Sequence, residues 1–231
     1  MPIVPPTTHR LREPWLATWT MLVDMPRASA IASEAAMTMT RDPAGYAFPD
    51  HKIPVACTYF DRGLDAPPPP ERYRIRRLGF ASKVTFENKR LQEGRIVLRS
   101  GEVDGDEARR LLAQAPAEAR VEGVASRIAA ELRTLELGPH FEVTYTREVF
   151  RLESLCAELF IDRSICLRPA ASNLPGMQPG GVPLGTSAVV TMRFLDHPPA
   201  LFRRLMQSWH LIPRSYSKYG AGREATRLKS A

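Results

Sequence analysis

Alternation of charge with apolar bulk is the feature that most restricts how this chain can fold. In RYRIRR, residues 72–77, Arg72, Arg74 and Arg76 take every second position while Tyr73 and Ile75 fill the gaps. A strand sends residues i, i+2 and i+4 to one face, so three guanidinium groups share a side. The habit recurs. KVTFENKR (83–90) sets Thr85, Glu87 and Lys89 against Val84 and Phe86, and RIVLRS (95–100) sets Arg95 and Arg99 against Ile96 and Leu98. FEVTYTRE (141–148) places Tyr145 and Arg147 on the parity of Phe141 and Val143. An antiparallel sheet with one wet face gives such alternation. A wet face normally mixes signs, however, because like charges opposite one another destabilise a sheet. Here six basic groups (Arg72, Arg74, Arg76, Lys89, Arg95, Arg99) stand against one acid, Glu87. If these strands are neighbours, they need a compensating anion, and the arginine fork and the lysine point charge both suit phosphate.

The remaining pattern predicts mixed secondary structure. Strands are expected at 53–61, 72–80, 83–91, 95–100, 140–150, 156–167 and 187–195, from β-branched and aromatic runs. A turn at Glu93-Gly94 joins two of them. Helices are expected at 27–39, over 104–137 with a break at Pro116, and at 198–211. Val121, Val124, Ile128, Leu132 and Leu135 form one stripe, and Leu201, Phe202, Leu205, Met206 and Trp209 another. Pro14 opens a short helix around Trp15 and Trp19. The stretch 169–186 reads as an irregular loop, and the tail GREATRLKSA as disordered. Antiparallel strands with segregated helices make the fold class α+β.

The 231 residues carry a net charge of +7, which favours polyanionic partners. Three cysteines without paired spacing fit reduced thiols, and Cys156 and Cys166 are expected to pack as small apolar residues. No apolar run reaches membrane-spanning length and the N-terminus lacks a signal-peptide core, so the expectation is a soluble, cytoplasmic protein without a transmembrane segment. His140 and His197 lie at element boundaries with no nucleophile in reach of a base. Arg203 and Arg204 read as the solvated face of a helix.

Seven short motifs then occur in a telling order. CTYFD (57–61), RYRIR (72–76), FENK (86–89), VTYTREVF (143–150), FID (160–162), VVTMRF (189–194) and YSKYG (216–220) together resemble the VTC domain. That domain is the polyphosphate-polymerase branch of the triphosphate tunnel metalloenzyme (CYTH-like) superfamily. The resemblance spans residues 53–222, leaving 1–52 as a divergent N-terminal segment of the same domain and 223–231 as a basic tail. It implies a closed antiparallel β-barrel, the triphosphate tunnel fold, with segregated helices. It implies a phosphotransferase that moves the γ-phosphate of ATP onto a growing polyphosphate chain, helped by a divalent metal, Mn²⁺ or Mg²⁺.

Carried over by motif, Arg74, Arg76, Lys89, Tyr145, Arg147, Arg193, Ser217 and Lys218 would bind phosphate, with Lys89, Arg147 and Lys218 as the catalytic cations. Glu87 has two readings, an ion pair orienting Arg74 or Lys89, or a metal ligand. The ion pair is favoured, because hard cations want several oxygens. The sequence also departs from the family. Thr191 stands where the family has a metal-binding glutamate, Arg193 stands for a lysine, and Glu158 falls where an arginine belongs. The N-terminal Glu-x-Lys-Tyr strand has no counterpart in LREPWLATW. A catalytically degenerate domain that binds polyphosphate or a nucleoside triphosphate without turnover is therefore an alternative. A nucleic-acid-binding β-domain is a second one, disfavoured because Tyr73 lies opposite the arginines and cannot stack beside them.

Overall fold

A computed structural model describes residues 17–92, 95–114, 123–177, 180–195 and 197–230. In chain order the strands and α-helices are β1 (Ala17–Val23), α1 (Met25–Ala36), β2 (Thr40–Arg41), β3 (Ile53–Asp61), β4 (Arg72–Leu78), β5 (Lys83–Gln92) and β6 (Arg95–Asp104). There follow α2 (Gly105–Ala113), α3 (Gly123–Thr134), β7 (Gly138–Leu152), β8 (Ala157–Pro169), β9 (Val182–Pro183), β10 (Ala188–Phe194), α4 (Ala200–Ser208) and α5 (Lys218–Ser230). The eight main strands run in the order β1-β10-β8-β7-β3-β4-β5-β6, every pair antiparallel.

Strand parity sorts the side chains into two layers. On one face of the β1-β10-β8 end, Met21, Val23, Leu159, Ile161, Val190 and Met192 pack with Ile31 of α1 and with Phe202 and Leu205 of α4. At the other end Tyr73, Ile75, Val84 and Phe86 pack against Leu111 of α2 and Ile128 and Leu132 of α3. Gly101 on β6 permits this second contact, since a Cβ there would lie 2.5 Å from the Ala125 amide nitrogen. The opposite, concave face holds Val55, Cys57, Tyr59, Phe141, Val143, Tyr145, Ile165 and Val189, with Tyr219 of α5 laid across them. Each covered face removes its apolar rows from water, the dominant driving force for a chain of this size.

The expected closed barrel is not what forms. Among the described residues β1 and β6 do not pair with each other, so the sheet is curled but open. A strap leading from α4 to α5 spans part of the seam. The Arg214 amide donates to the Thr20 carbonyl at 2.7 Å, and the Arg72 guanidinium donates to Ser217 Oγ at 2.7 Å.

Four further expectations need correction. Trp19 lies in β1, not in a helix; alternation puts it beside Phe194, ring centroids 4.9 Å apart. The tail is helical because Tyr219 and Arg223 both bond to buried Asp61, which pins α5 to the end of β3. The loop 169–186 contains the short β9, paired to β8. Cys156 does not pack as an apolar residue, since it sits exposed in a left-handed turn (φ 46°). Pro14, Trp15, the Glu93-Gly94 turn, Pro116 and Val121 lie outside the described residues. Among those residues no helix is long and apolar enough to cross a membrane.

Gly222 fixes how closely α5 approaches the sheet, because a Cβ there would meet Phe141 Cε2 at 2.6 Å. Gly222→Ala is expected to lower stability by roughly 1–3 kcal/mol through overpacking. Calorimetric unfolding of the variant beside the wild type measures this.

Candidate functional site

The cationic motif strands meet on the concave face. Register places Arg72 opposite Lys89, Arg74 opposite Glu87, and Arg76 opposite Thr85. Glu87 is 2% exposed and serves two arginines: Arg74 Nε donates to Oε2 at 2.5 Å and Arg76 Nη2 approaches Oε1 at 2.8 Å. Burial alone would raise its pKa, but the Arg74 and Arg76 guanidinium groups win and hold it near 2. Arg74 also donates to the Tyr59 hydroxyl at 3.3 Å, whose pKa burial pushes up to about 12.

A second carboxylate repeats the arrangement across the trough. Asp162 on β8 faces Arg147 on β7 and accepts two bonds from it, at 2.6 and 2.8 Å. Lys218, the first residue of α5, donates to Asp162 Oδ2 at 2.6 Å. Burial opposes ionisation of Asp162, yet the neighbouring Arg147 and Lys218 charges keep it well below the usual carboxylate range. Tyr145 lies beneath both cations, its ring centroid 4.7 Å from Lys218 Nζ and 5.2 Å from Arg147 Cζ. One acid thus serves two bases at each cluster, which leaves positive charge in excess.

Other cations have no such acid. Among the described residues neither Lys89 nor Arg193 makes an ion pair with a carboxylate. Burial, then the nearby Arg74, Arg193, Arg72 and Lys218 charges, lower the Lys89 pKa to about 8. Arg193 is lowered to about 10, mainly by burial and then by Arg147, with Glu158 pulling the other way; its guanidinium lies 4.8 Å from the Phe160 ring centroid. These groups open onto a cavity of about 130 Å³. Arg72, Arg74, Lys89, Arg147, Arg193 and Lys218 line it, with Glu87 as the carboxylate among them. The β1 and β10 side supplies Thr18, Thr20 and Thr191.

Of the residues chosen from the sequence, Arg74, Glu87, Lys89, Arg147, Arg193, Ser217 and Lys218 line this cavity, whereas Arg76 and Tyr145 are not among its lining residues and each touches one that is, Arg76 at Glu87 and Tyr145 at Lys218. Arg99 is elsewhere. Its partner in register is Asn88, not Lys89, and it makes a bidentate ion pair with Glu131 of α3, both bonds 2.7 Å. The two-residue alternation of β6 therefore turns Leu98 to the cavity and Arg99 to the helices, opposite to the shared basic face expected from sequence; the Arg95 side chain lies outside the described ones. Sequence reasoning passed over Asp162 as an anchor, although an acid ending FID on the strand right after the Tyr-x-Arg strand was the available signal. It also passed over Thr18 and Thr20, because their strand was taken for a helix.

The donor set does not fit the divalent metal that the resemblance implies. Hard cations want several oxygens, carboxylates foremost. Here both oxygens of Glu87 and both of Asp162 already face cations, and the threonine wall is neutral. Among the described residues no three His, Cys, Asp or Glu side chains group together.

A family model described as VTC domain matches residues 30–227. No curated protein matches the chain by sequence. Similar solved structures include a protein from Bacillus halodurans named for adenylate cyclase (13% identity, TM-score 0.56, covering 87% of this chain and 93% of that one). Another is a Hippeastrum protein first assigned as an adenylyl cyclase and described as having a dominant triphosphatase activity (16%, 0.54, 90% and 95%). A Vibrio parahaemolyticus protein also named for adenylate cyclase is similar as well (12%, 0.51, 91% and 98%). At these identities the likeness is one of fold.

Removing a buried acid that serves two half-buried bases should be costly. Glu87→Gln is expected to destabilise the protein by roughly 3–5 kcal/mol. The folded-state pKa of Glu87 lies below its unfolded value of 4.5, so its contribution is present above pH 4.5 and is lost as pH falls towards about 2. Denaturant unfolding across that acid window should show the wild type losing stability more steeply than Glu87→Gln.

Proposed function

The chain belongs to the VTC domain family, and we propose that its cavity holds the triphosphate end of a phosphate polyanion, either ATP or polyphosphate. The observation that carries this is the pair Lys89 and Arg193, half-buried among other cations with no ion-paired acid among the described residues. An isolated buried charge costs several kcal/mol unless something pairs with it, and a bound anion supplies that partner. Arginine forks and lysine donors give charge-assisted bonds to phosphate oxygens. The triphosphatase activity of the Hippeastrum neighbour is in keeping with this reading.

Turnover is the second reading, favoured by family membership. In it the terminal oxygen of a polyphosphate chain attacks the γ-phosphorus of ATP, that P–O bond forms, and the bond to the β-phosphate breaks to release ADP. Such a transfer needs positioning and charge neutralisation above all. Lys89, Arg147 and Lys218 would hold the transferring group, Arg74 and Arg193 the flanking phosphates, and Arg72 and Ser217 would brace the seam. Arg76 and Tyr145 would act indirectly, Arg76 through Glu87 and Tyr145 through Lys218.

Calorimetric titration with tripolyphosphate at low salt tests binding. Lys89→Ala is expected to weaken it by about 1.5–3 kcal/mol, the worth of a charged hydrogen bond, and no wild-type binding would sink the proposal. The affinity also carries a pH signature. Lys89 is protonated below its pKa of about 8, so above that pH the bound complex must take up a proton. Affinity should then fall by up to roughly tenfold per pH unit per proton, and Lys89→Arg should flatten this slope. For turnover, ATP incubated with Mn²⁺, with Mg²⁺ and with neither should yield long-chain polyphosphate in at least one arm. None in any arm favours binding without turnover.

A further inference from the structure

The cavity's charge, and what its walls are made of, bear on the form in which the anion arrives. Arg72, Arg74, Lys89, Arg147, Arg193 and Lys218 in the walls, and Arg76 beside Glu87, supply seven positive charges. Against them stand Glu87, Asp162 and Glu158, the last felt by Arg193 and 3.8 Å from Arg151. The formal surplus is four. An uncomplexed triphosphate terminus carries roughly four negative charges, counting one per bridging phosphoryl and up to two on the end. A divalent cation on that anion would cancel half of them.

We propose that this site takes its phosphate polyanion free of divalent metal, so that Mg²⁺ competes with the protein for the ligand and does not bridge the two. This rests on the reading of the cavity as a phosphate site. Three observations point the same way. Glu87 and Asp162 each hold two bases, so neither offers an oxygen without surrendering a buried ion pair, and Glu158, whose Oε2 makes no hydrogen bond, is not among the residues that line the cavity. The threonine wall offers hydroxyls, which can donate to phosphate oxygens but bring no charge to a cation. Arg193 lies on that side too, directly across from Thr18 in register, and repels a metal ion while attracting the bare anion. Mg²⁺ also keeps several of its waters and sheds them reluctantly.

The experiment is a titration with tripolyphosphate at fixed ionic strength and near-neutral pH, once in EDTA and once in excess Mg²⁺. The expected result is binding in EDTA and an apparent affinity at least roughly tenfold weaker in Mg²⁺, as mass action requires when the metal sequesters the ligand. Equal or tighter binding in Mg²⁺ overturns the inference and leaves the phosphate-site reading standing. No binding in either arm overturns both. Thr191→Glu, checked for folding by its melting temperature, supplies a carboxylate on the neutral wall. It should weaken the EDTA arm and narrow the gap between arms, whereas an unchanged gap would refute the role given to that wall.

Discussion

Two buried acids organise the concave face. Glu87 and Asp162 each neutralise one charge while orienting two bases, so Arg74, Arg76, Arg147 and Lys218 keep fixed positions despite mutual repulsion. Without them the cations of β4, β7 and α5 would face one another in a partly dry space, where like charges are poorly screened. The remaining basic groups, Lys89 and Arg193, are then held against that repulsion by the fold itself. A site prepared in this way has already met the cost of assembling its charges before any anion arrives, which is the preorganisation that charge stabilisation needs.

The rest of the architecture serves to hold the strands carrying those groups in a curve. Helices α1 and α4 cover one end of the outer face and α2 and α3 the other, each through rows of apolar residues on the parity opposite the charges. Helix α5 fills part of the inner face. Its Tyr219 and Arg223 reach Asp61 at one end, while Lys218 at its start reaches Asp162. A single helix thereby ties β3 to β8 over the intervening β7 and makes the inner face partly apolar core, partly polar pocket.

Much of this was legible in the residues themselves. Parity in RYRIRR and KVTFENKR read correctly which side chains turn inward, because both strands have an unmistakable apolar row on the other side. The same logic misassigned Arg99, because Leu98 and Ile96 were taken for core when Leu98 faces the cavity; a cavity lined in part by apolar side chains inverts the usual signal. Closure of the barrel was beyond reach of sequence, since pairing between chain-distant edges depends on total curl and not on any local motif. Helix formation in the tail was hidden for a related reason. GREATRLKSA has little apolar periodicity, and α5 is held by bonds to Asp61, far away in sequence.

The open seam between β1 and β6 has a topological meaning. A closed ring admits a linear polymer end first, so the ring reads chain ends and the polymer must be threaded through it. A trough clasped by one strap, with Arg214 on Thr20 and Arg72 on Ser217, places no such demand. If the strap parts from either side, a polymer can be laid in sideways anywhere along its length. Such a device would let a bound end enter and leave from the side, with no threading step.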